Sequence, residues 1–518
     1  MVERLSWTFP RVLEGINMAI KKLGYGLIAL GGAVIAFSLL VDLIGFGDDG
    51  IQAAQILGIL AGAFLFVTGV GLSIGNWEKD IRLDFDPRTA INFLNFPVIV
   101  WVLVTFVAVY LLIFVSYVFL NPGLQMNYIT KYLPDAGRIG LDIRAVTRYI
   151  EEWLVLGQSP YATGFIAYPP LALVLFAPLL LIGYPAYFQL ITVLTLVSYA
   201  VTSLFIPLSL NKSKRISPIL LMFVAGLFSY GLQFELERGQ SNLIAFALAL
   251  LSIYLFHVYP KLRFFSYILF SLAVQLKIYP AIFIVMLVDN WRDWKTTLIR
   301  WAGVGLFNFA LLFVLGFDLF QEFLASTLQQ QSQLATWNGT SIRSFVFVLS
   351  NTGYSLFSEP VISAAGQFSQ ALALSFMALF FLCFIAIILL AYFRRENGFN
   401  PALLLACTVG ALIIPTISND YKLPLLIGPV SILVSAWPVF EKLSKKTLSV
   451  FLLLILLMAF WSTLYPFKIK AEILHNSMPV LLLILIAVTV VDLLKEKAST
   501  SNLAAASLDD SDGQAMDL

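Results

Sequence analysis

Charge is scarce in this chain. Of 518 residues, 32 are Lys or Arg and 30 are Asp or Glu, so 12% are charged while 60% are hydrophobic; a soluble protein carries about 25% charged residues. So little polar surface excludes a soluble enzyme fold for the whole chain and implies a polytopic membrane protein. Cysteine and histidine are scarcer still. Cys383 and Cys407 lie far apart in apolar runs, which excludes a disulfide framework and a thiolate metal cluster. His257 and His475 are the only histidines, so His-rich metal sites, the zinc protease motif and bis-His haem ligation are excluded too. The net charge of +2 gives no reason to expect nucleic acid as a partner. Chemistry falls to carboxylates, amides, hydroxyls, Lys and Arg.

Apolar runs dominate what is present. They cover 24–46, 53–74, 97–120, 170–183, 187–210, 216–234, 243–258, 264–288, 301–317, 370–393, 401–417, 423–437, 447–464 and 478–491. At about 20 residues per span the expected fold is an all-α bundle of about 12 to 14 membrane helices. Basic residues before the first run and at Arg394, Arg395, Lys442, Lys445, Lys446, Lys495 and Lys497 place both termini in the cytoplasm by the positive-inside rule. The expected organisation is a two-span extension with a connector at 1–96, a membrane domain at 97–493, and a disordered Ser, Ala and Asp tail at 494–518. If every run spans, the basic loops at 211–215 and 260–263 face outward against the usual bias. A re-entrant 170–183 and a helix break at Lys277–Pro280 remove the conflict.

The long polar stretch 121–168 is expected outside. Within it Ile143, Val146, Ile150, Trp153 and Leu154 share one helical face opposite Arg144, Thr147, Arg148, Glu151 and Glu152. This predicts an amphipathic surface helix ended by Gly157 and Pro160.

Polar groups in such a chain are functional candidates by default. The loop acids are Asp135 and Asp142. A carboxylate beside a low-dielectric boundary suits a general base, while Asp142 at the start of its helix equally suits a cap. Lys277, in a run otherwise free of charge and just before Pro280, is placed to bind a phosphate beside a helix break; snorkelling to an interface is the alternative. The segment 235–242 (Glu-Leu-Glu-Arg-Gly-Gln-Ser-Asn) reads as a hydrated loop, or as a sugar site in which Gln240 and Asn242 offer donor and acceptor together. Residues 337–343, with Asn338, Ser341 and Arg343, sit in a second long polar loop after Phe317, and Asn419-Asp420-Tyr421-Lys422 forms a polar turn between two spans.

In chain order, Asp142, Gly157-Gln158-Ser159-Pro160-Tyr161, Tyr168-Pro169-Pro170-Leu171, Gly239-Gln240-Ser241-Asn242, Lys277-Ile278-Tyr279-Pro280 and 338–341 together resemble glycosyltransferase family 87. The likeness runs from about 97 to 478. It implies a GT-C-like bundle, an inverting transfer of mannose or a related hexose or pentose, and a polyprenyl-phosphate sugar as donor. It further implies a glycolipid or glycan acceptor, no cofactor or metal, and a bacterial or archaeal plasma membrane, with transfer on its external face. Asp142 would be the base, Lys277 and Arg343 would hold the donor phosphate, and Gln240, Asn242, Asn338, Ser341, Tyr161 and Tyr168 would line the substrate site. Mannosyltransferases of the family resemble each other in a Ser-rich segment ending in a His pair. Here the corresponding stretch is Ser418-Asn419-Asp420-Tyr421-Lys422, so Asp420 and Lys422 would take over donor or acceptor contacts. The rival functions are a lipid-linked-sugar flippase or secondary transporter, and a polymer ligase.

Overall fold

A computed structural model describes residues 139–164, 166–184, 186–210, 216–227, 229–333, 339–350, 366–396, 398–436 and 478–491, with a few isolated positions besides. Apart from such isolated positions, the spans expected at 24–46, 53–74, 97–120 and 447–464 lie outside the described residues. So do Asp135, Asn338 and the tail beyond 494. The chain forms two units, 1–130 with 184–193, and 131–183 with 194–518. In the first, the ring of Tyr184 meets Tyr187 edge-on at 5.5 Å. The site described below belongs to the second.

The described residues are helical, with one isolated bridge between Gly339 and Asn419. In order they form α1 (Leu141–Leu156), α2 (Pro170–Phe176), α3 (Ala186–Leu210), α4 (Ile216–Leu227), α5 (Tyr230–Arg238), α6 (Asn242–Val258), α7 (Arg263–Leu276), α8 (Trp294–Leu311), α9 (Phe317–Gln333), α10 (Ile342–Leu349), α11 (Ser369–Arg394), α12 (Pro401–Ile413) and α13 (Ile427–Ala436).

Two of these, α3 with 25 residues and α11 with 26, are long and apolar enough to cross a membrane. At 1.5 Å per residue each exceeds the ~30 Å hydrocarbon core. On α11, Leu374, Phe381, Leu382, Ile385, Leu389 and Phe393 are all exposed, an apolar surface suited to hydrocarbon. The helices α5 and α6 pass the same test together, bent by 110° at the break between them.

Several boundaries differ from the sequence reading. The run 216–234 is not one helix: Ser229 caps α5, its Oγ accepting from Leu232 N at 3.3 Å, because a hydroxyl satisfies a donor left unpaired at a helix start. The segment 235–242 is not a hydrated loop. Glu235 and Glu237 lie in the last turns of α5, 0% and 3% exposed. The polar stretch after Phe317 is also helical, as α9, whose Ser326 and Gln330 donate to the backbone oxygens of Ile166 and Gly164 at 2.6 and 3.0 Å. The apolar face of α1 is covered by protein at Ile143, Val146 and Ile150, while Trp153 is half-buried and Leu154 exposed, so only its last turn is left to a membrane surface. Pro170–Leu181 is a short helical segment passing from α2 into a 3-10 turn. At Lys277 helix α7 does end: the residue is extended (φ −150, ψ 139) and a 3-10 segment, Tyr279–Met286, follows. Pro280 lacks the amide hydrogen an α-helix would need there.

At the far end of α6, the Arg263 and Arg300 guanidiniums lie 4.8 and 4.9 Å from the Phe256 ring and both pair with Asp289. This charged cluster marks one end of the helix. The candidate site is at the other.

Candidate active site

The site is built where α1 meets the bend between α5 and α6. Gly239 adopts a left-handed conformation (φ 65), which costs glycine nothing for want of a Cβ, and it closes α5 so that Gln240 and Ser241 lead straight into α6. The Gly140 amide donates to Glu237 O at 2.6 Å, fastening the start of α1 to the end of α5. Gly140, not Asp142, is the N-cap of α1 and no side chain caps it. Asp142 lies in the first turn instead, and its carboxylate turns to α5: Gln240 Nε2 donates to Oδ2 at 2.5 Å and Arg238 Nη1 to Oδ1 at 3.3 Å. The cap reading of Asp142 is thereby corrected. A carboxylate has about four lone-pair sites, so two remain for another donor, and its side chain is 30% exposed.

From Gln240 the contacts continue inward. Its Oε1 accepts from Lys277 Nζ at 3.2 Å and from Asn242 Nδ2 at 3.4 Å. The ammonium of Lys277 also lies 3.8 Å from the centroid of the Tyr168 ring, the attraction expected of a cation over a π face. The extended backbone at Lys277 is what carries this side chain out of the α7 path and toward the bend. Tyr279, two residues on, donates to Asn242 O at 2.6 Å, and Lys422 extends over the Tyr279 ring at 5.4 Å while donating to Ile417 O at 3.3 Å. The α5 helix approaches the 419–426 segment closely at Gly231, where a Cβ would fall 2.7 Å from Asp420 O.

The loop from Tyr161 to Tyr168 forms a wall beside Lys277. Tyr161 OH donates to Tyr168 O at 2.8 Å and its ring meets Phe323 of α9 edge-on at 5.7 Å. Both phenols stay protonated. Burial pushes Tyr168 well above its ordinary pKa, with Asp142 adding to the shift, and burial together with Glu322 does the same for Tyr161.

The structure thus brings together five residues singled out in the sequence, Asp142, Gln240, Asn242, Lys277 and Tyr168, with Lys422 next to them through Tyr279. Tyr161 supports Tyr168 by its backbone bond. Ser341 is engaged elsewhere: it caps α10, accepting from Ser344 N at 3.1 Å, and donates to Thr416 O at 3.0 Å. Arg343 is exposed on α10 and Asp420 is buried. Three residues join the site that the sequence reading had not assigned to it: Arg238, Tyr279 and Glu235. All lie inside motifs already noted, but only the bend at Gly239 reveals which way they face. Among the described residues no group of three or more His, Cys, Asp and Glu side chains is arranged to hold a metal ion.

The sequence model of glycosyltransferase family 87 matches residues 165–419. That stretch begins after Asp142 and Tyr161 and stops just short of Asp420 and Lys422. No curated protein and no solved structure matches the chain. Over the matched residues, which carry Tyr168, Gln240, Asn242, Lys277 and the bend between α5 and α6, the chain is similar to glycosyltransferase family 87, and this match supports a glycosyltransferase.

Proposed function

We propose that the protein is a multi-pass enzyme of about 12 to 14 spans that transfers mannose or a related hexose or pentose from a polyprenyl-phosphate donor. The acceptor is a glycolipid or glycan on the external face. Asp142 removes the proton of the acceptor hydroxyl, whose oxygen forms the new bond to the anomeric carbon. The carbon–oxygen bond to phosphate breaks on the opposite side, its electron pair passes to the phosphate oxygen, and the configuration inverts. Lys277 binds that phosphate, with Lys422 close by; Gln240 and Asn242 meet the sugar hydroxyls. The leaving group is already a phosphate, so a cation stabilises it without a second carboxylic acid to protonate it.

The observation that carries this reading is the single amide of Gln240, which bonds Asp142 at 2.5 Å and Lys277 at 3.2 Å. Two hydrogen bonds and one amide width hold the base and the cation within about 8 Å of each other. An acceptor oxygen, an anomeric carbon and a leaving oxygen in line fit in that interval. Tyr168 and Tyr279 add aromatic faces beside the cations, as sugar and phosphate sites commonly do.

The test is transfer by purified protein from a radiolabelled panel of polyprenyl-phosphate mannose, glucose, galactose and arabinose onto a membrane glycolipid extract. The Asp142→Asn variant should lose on the order of 10²- to 10⁴-fold in kcat, the usual contribution of a general base, while still binding donor. Full activity in that variant refutes the role of Asp142.

A further inference from the structure

Glu235 takes no part in the chemistry proposed above, yet it is wholly buried, and its two carboxylate oxygens are committed to one neighbour each: Oε1 accepts from Leu243 N at 2.9 Å and Oε2 from Asn242 Nδ2 at 3.1 Å. A carboxylate only accepts and an ammonium only donates. These one-way groups remove the ambiguity that an amide otherwise carries. With Glu235 on one side, Asn242 must turn its Nδ2 inward, where it also meets Gln240 Oε1 at 3.4 Å. With Lys277 donating to that same oxygen, Gln240 must present Nε2 to Asp142. Asn242 Oδ1 is then left buried with no hydrogen-bond partner among the described residues, an arrangement that is costly unless a ligand supplies the donor.

We propose that Glu235 is a positioning residue for the transfer reaction. By fixing the Asn242 amide it reserves Asn242 Oδ1 as the acceptor for one hydroxyl of the donor sugar and keeps the Gln240 carbonyl for Lys277. The inference rests on the reading of this site as the sugar-transfer centre. Its substance is specificity: one sugar hydroxyl, the one that meets Asn242, is read through a carboxylate that never touches substrate.

The experiment uses full-length protein in bilayer discs, the best donor from the panel above, and that donor's monodeoxy analogues, with thermal melting alongside. Wild type should reject one analogue by tenfold or more. Glu235→Gln replaces one acceptor by a donor, so Asn242 can no longer be held in place. It should lose about 10- to 100-fold in kcat/KM on the normal donor and lose its discrimination against that analogue.

Glu235→Gln combined with Asn242→Asp exchanges donor and acceptor across the pair and so retains the bonds that start α6. It keeps an acceptor oxygen at the Asn242 Oδ1 position but sets a second one against Gln240 Oε1, so it should melt like wild type and discriminate, yet remain at least tenfold impaired in kcat. Two outcomes overturn the proposal: full activity with intact discrimination in Glu235→Gln, or recovery of full kcat in the exchanged pair, which would reduce Glu235 to a cap for α6. Asp142→Asn in the same assay separates the two failures. An active Asp142→Asn overturns the function; an inactive one with a normal Glu235→Gln overturns only the positioning role.

Discussion

Replacing Lys277 by Ala removes the one cation among the described residues that touches both Gln240 and Tyr168. Among the described residues Lys277 forms no ion pair, so its charge is not already spent on a protein carboxylate at bonding distance. A phosphate oxygen about 4 Å from the ammonium would gain roughly 4 kcal/mol at an effective dielectric of 20. Water entering the space left by the side chain returns part of this, and a charged hydrogen bond is worth about 1.5 to 3 kcal/mol net. Donor affinity should therefore fall about 10- to 150-fold. The rate should fall as well. In the proposed reaction the donor phosphodiester carries one negative charge and the departing polyprenyl phosphate approaches two, so the lysine would hold the transition state more tightly than the ground state. A further loss of about tenfold in kcat is expected, and Lys277→Arg, which keeps the charge but not the compact shape, should recover part of both. Melting should be unchanged or higher, because a half-buried cation has been removed. Donor binding by filter or calorimetric titration, steady-state transfer and thermal melting together measure all three. Unchanged KM and kcat in Lys277→Ala would refute the phosphate role.

Two further substitutions separate packing from chemistry. Tyr168→Phe keeps the ring face under Lys277 Nζ and should retain most donor affinity, whereas Tyr168→Leu removes a cation–π contact worth about 0.5 to 2 kcal/mol and should raise the donor KM by several-fold or more; equal KM values for the two variants would show that the ring face contributes nothing. Gly231→Ala drives a methyl group against Asp420 O and Pro424 Cδ, 2.7 and 2.9 Å from the new carbon, and should cost about 1 to 3 kcal/mol, visible as a lower melting temperature; an unchanged midpoint would mean that α5 and the 419–426 segment part freely.

Periodicity was informative wherever one solvent surrounds a helix. The long run near 370–393 became α11, and 187–210 became α3, because a long helix that is apolar all round is visible in composition alone. The break at Lys277 was legible for a covalent reason, the proline three residues on. Charge was the misleading signal. Glu235, Glu237 and Arg238 read as a hydrated loop because charged side chains normally seek water. In the fold their solvation is supplied by protein groups, Leu243 N and Asn242 for Glu235 and Asp142 for Arg238, and no local pattern announces partners from α1 or from beyond a bend. The same holds for α9, whose polar side chains face the 161–168 loop while Phe317, Leu324 and Leu328 stay exposed. Its inner face mixes Ser326 and Gln330 with Phe323 and so hides from a search for a wholly apolar one. Ser341 shows how a hydroxyl's local duty stays hidden in sequence: it serves the start of α10.

The length of α6 bears on how the proposed lipid-linked donor would reach these residues. Its 17 residues measure about 25 Å, a little less than the ~30 Å hydrocarbon core. With the Arg263, Asp289 and Arg300 cluster held at one headgroup layer and the helix along the membrane normal, Asn242 comes within about 5 Å of the opposite layer. That depth is where a lipid phosphate already sits. The donor's prenyl chain would stay among the acyl chains and its phosphate at its native level, so docking at Lys277 would require sideways diffusion and little vertical displacement. Half of the work of assembling the reactants would then be done by the bilayer, which confines the donor to a plane before the protein touches it.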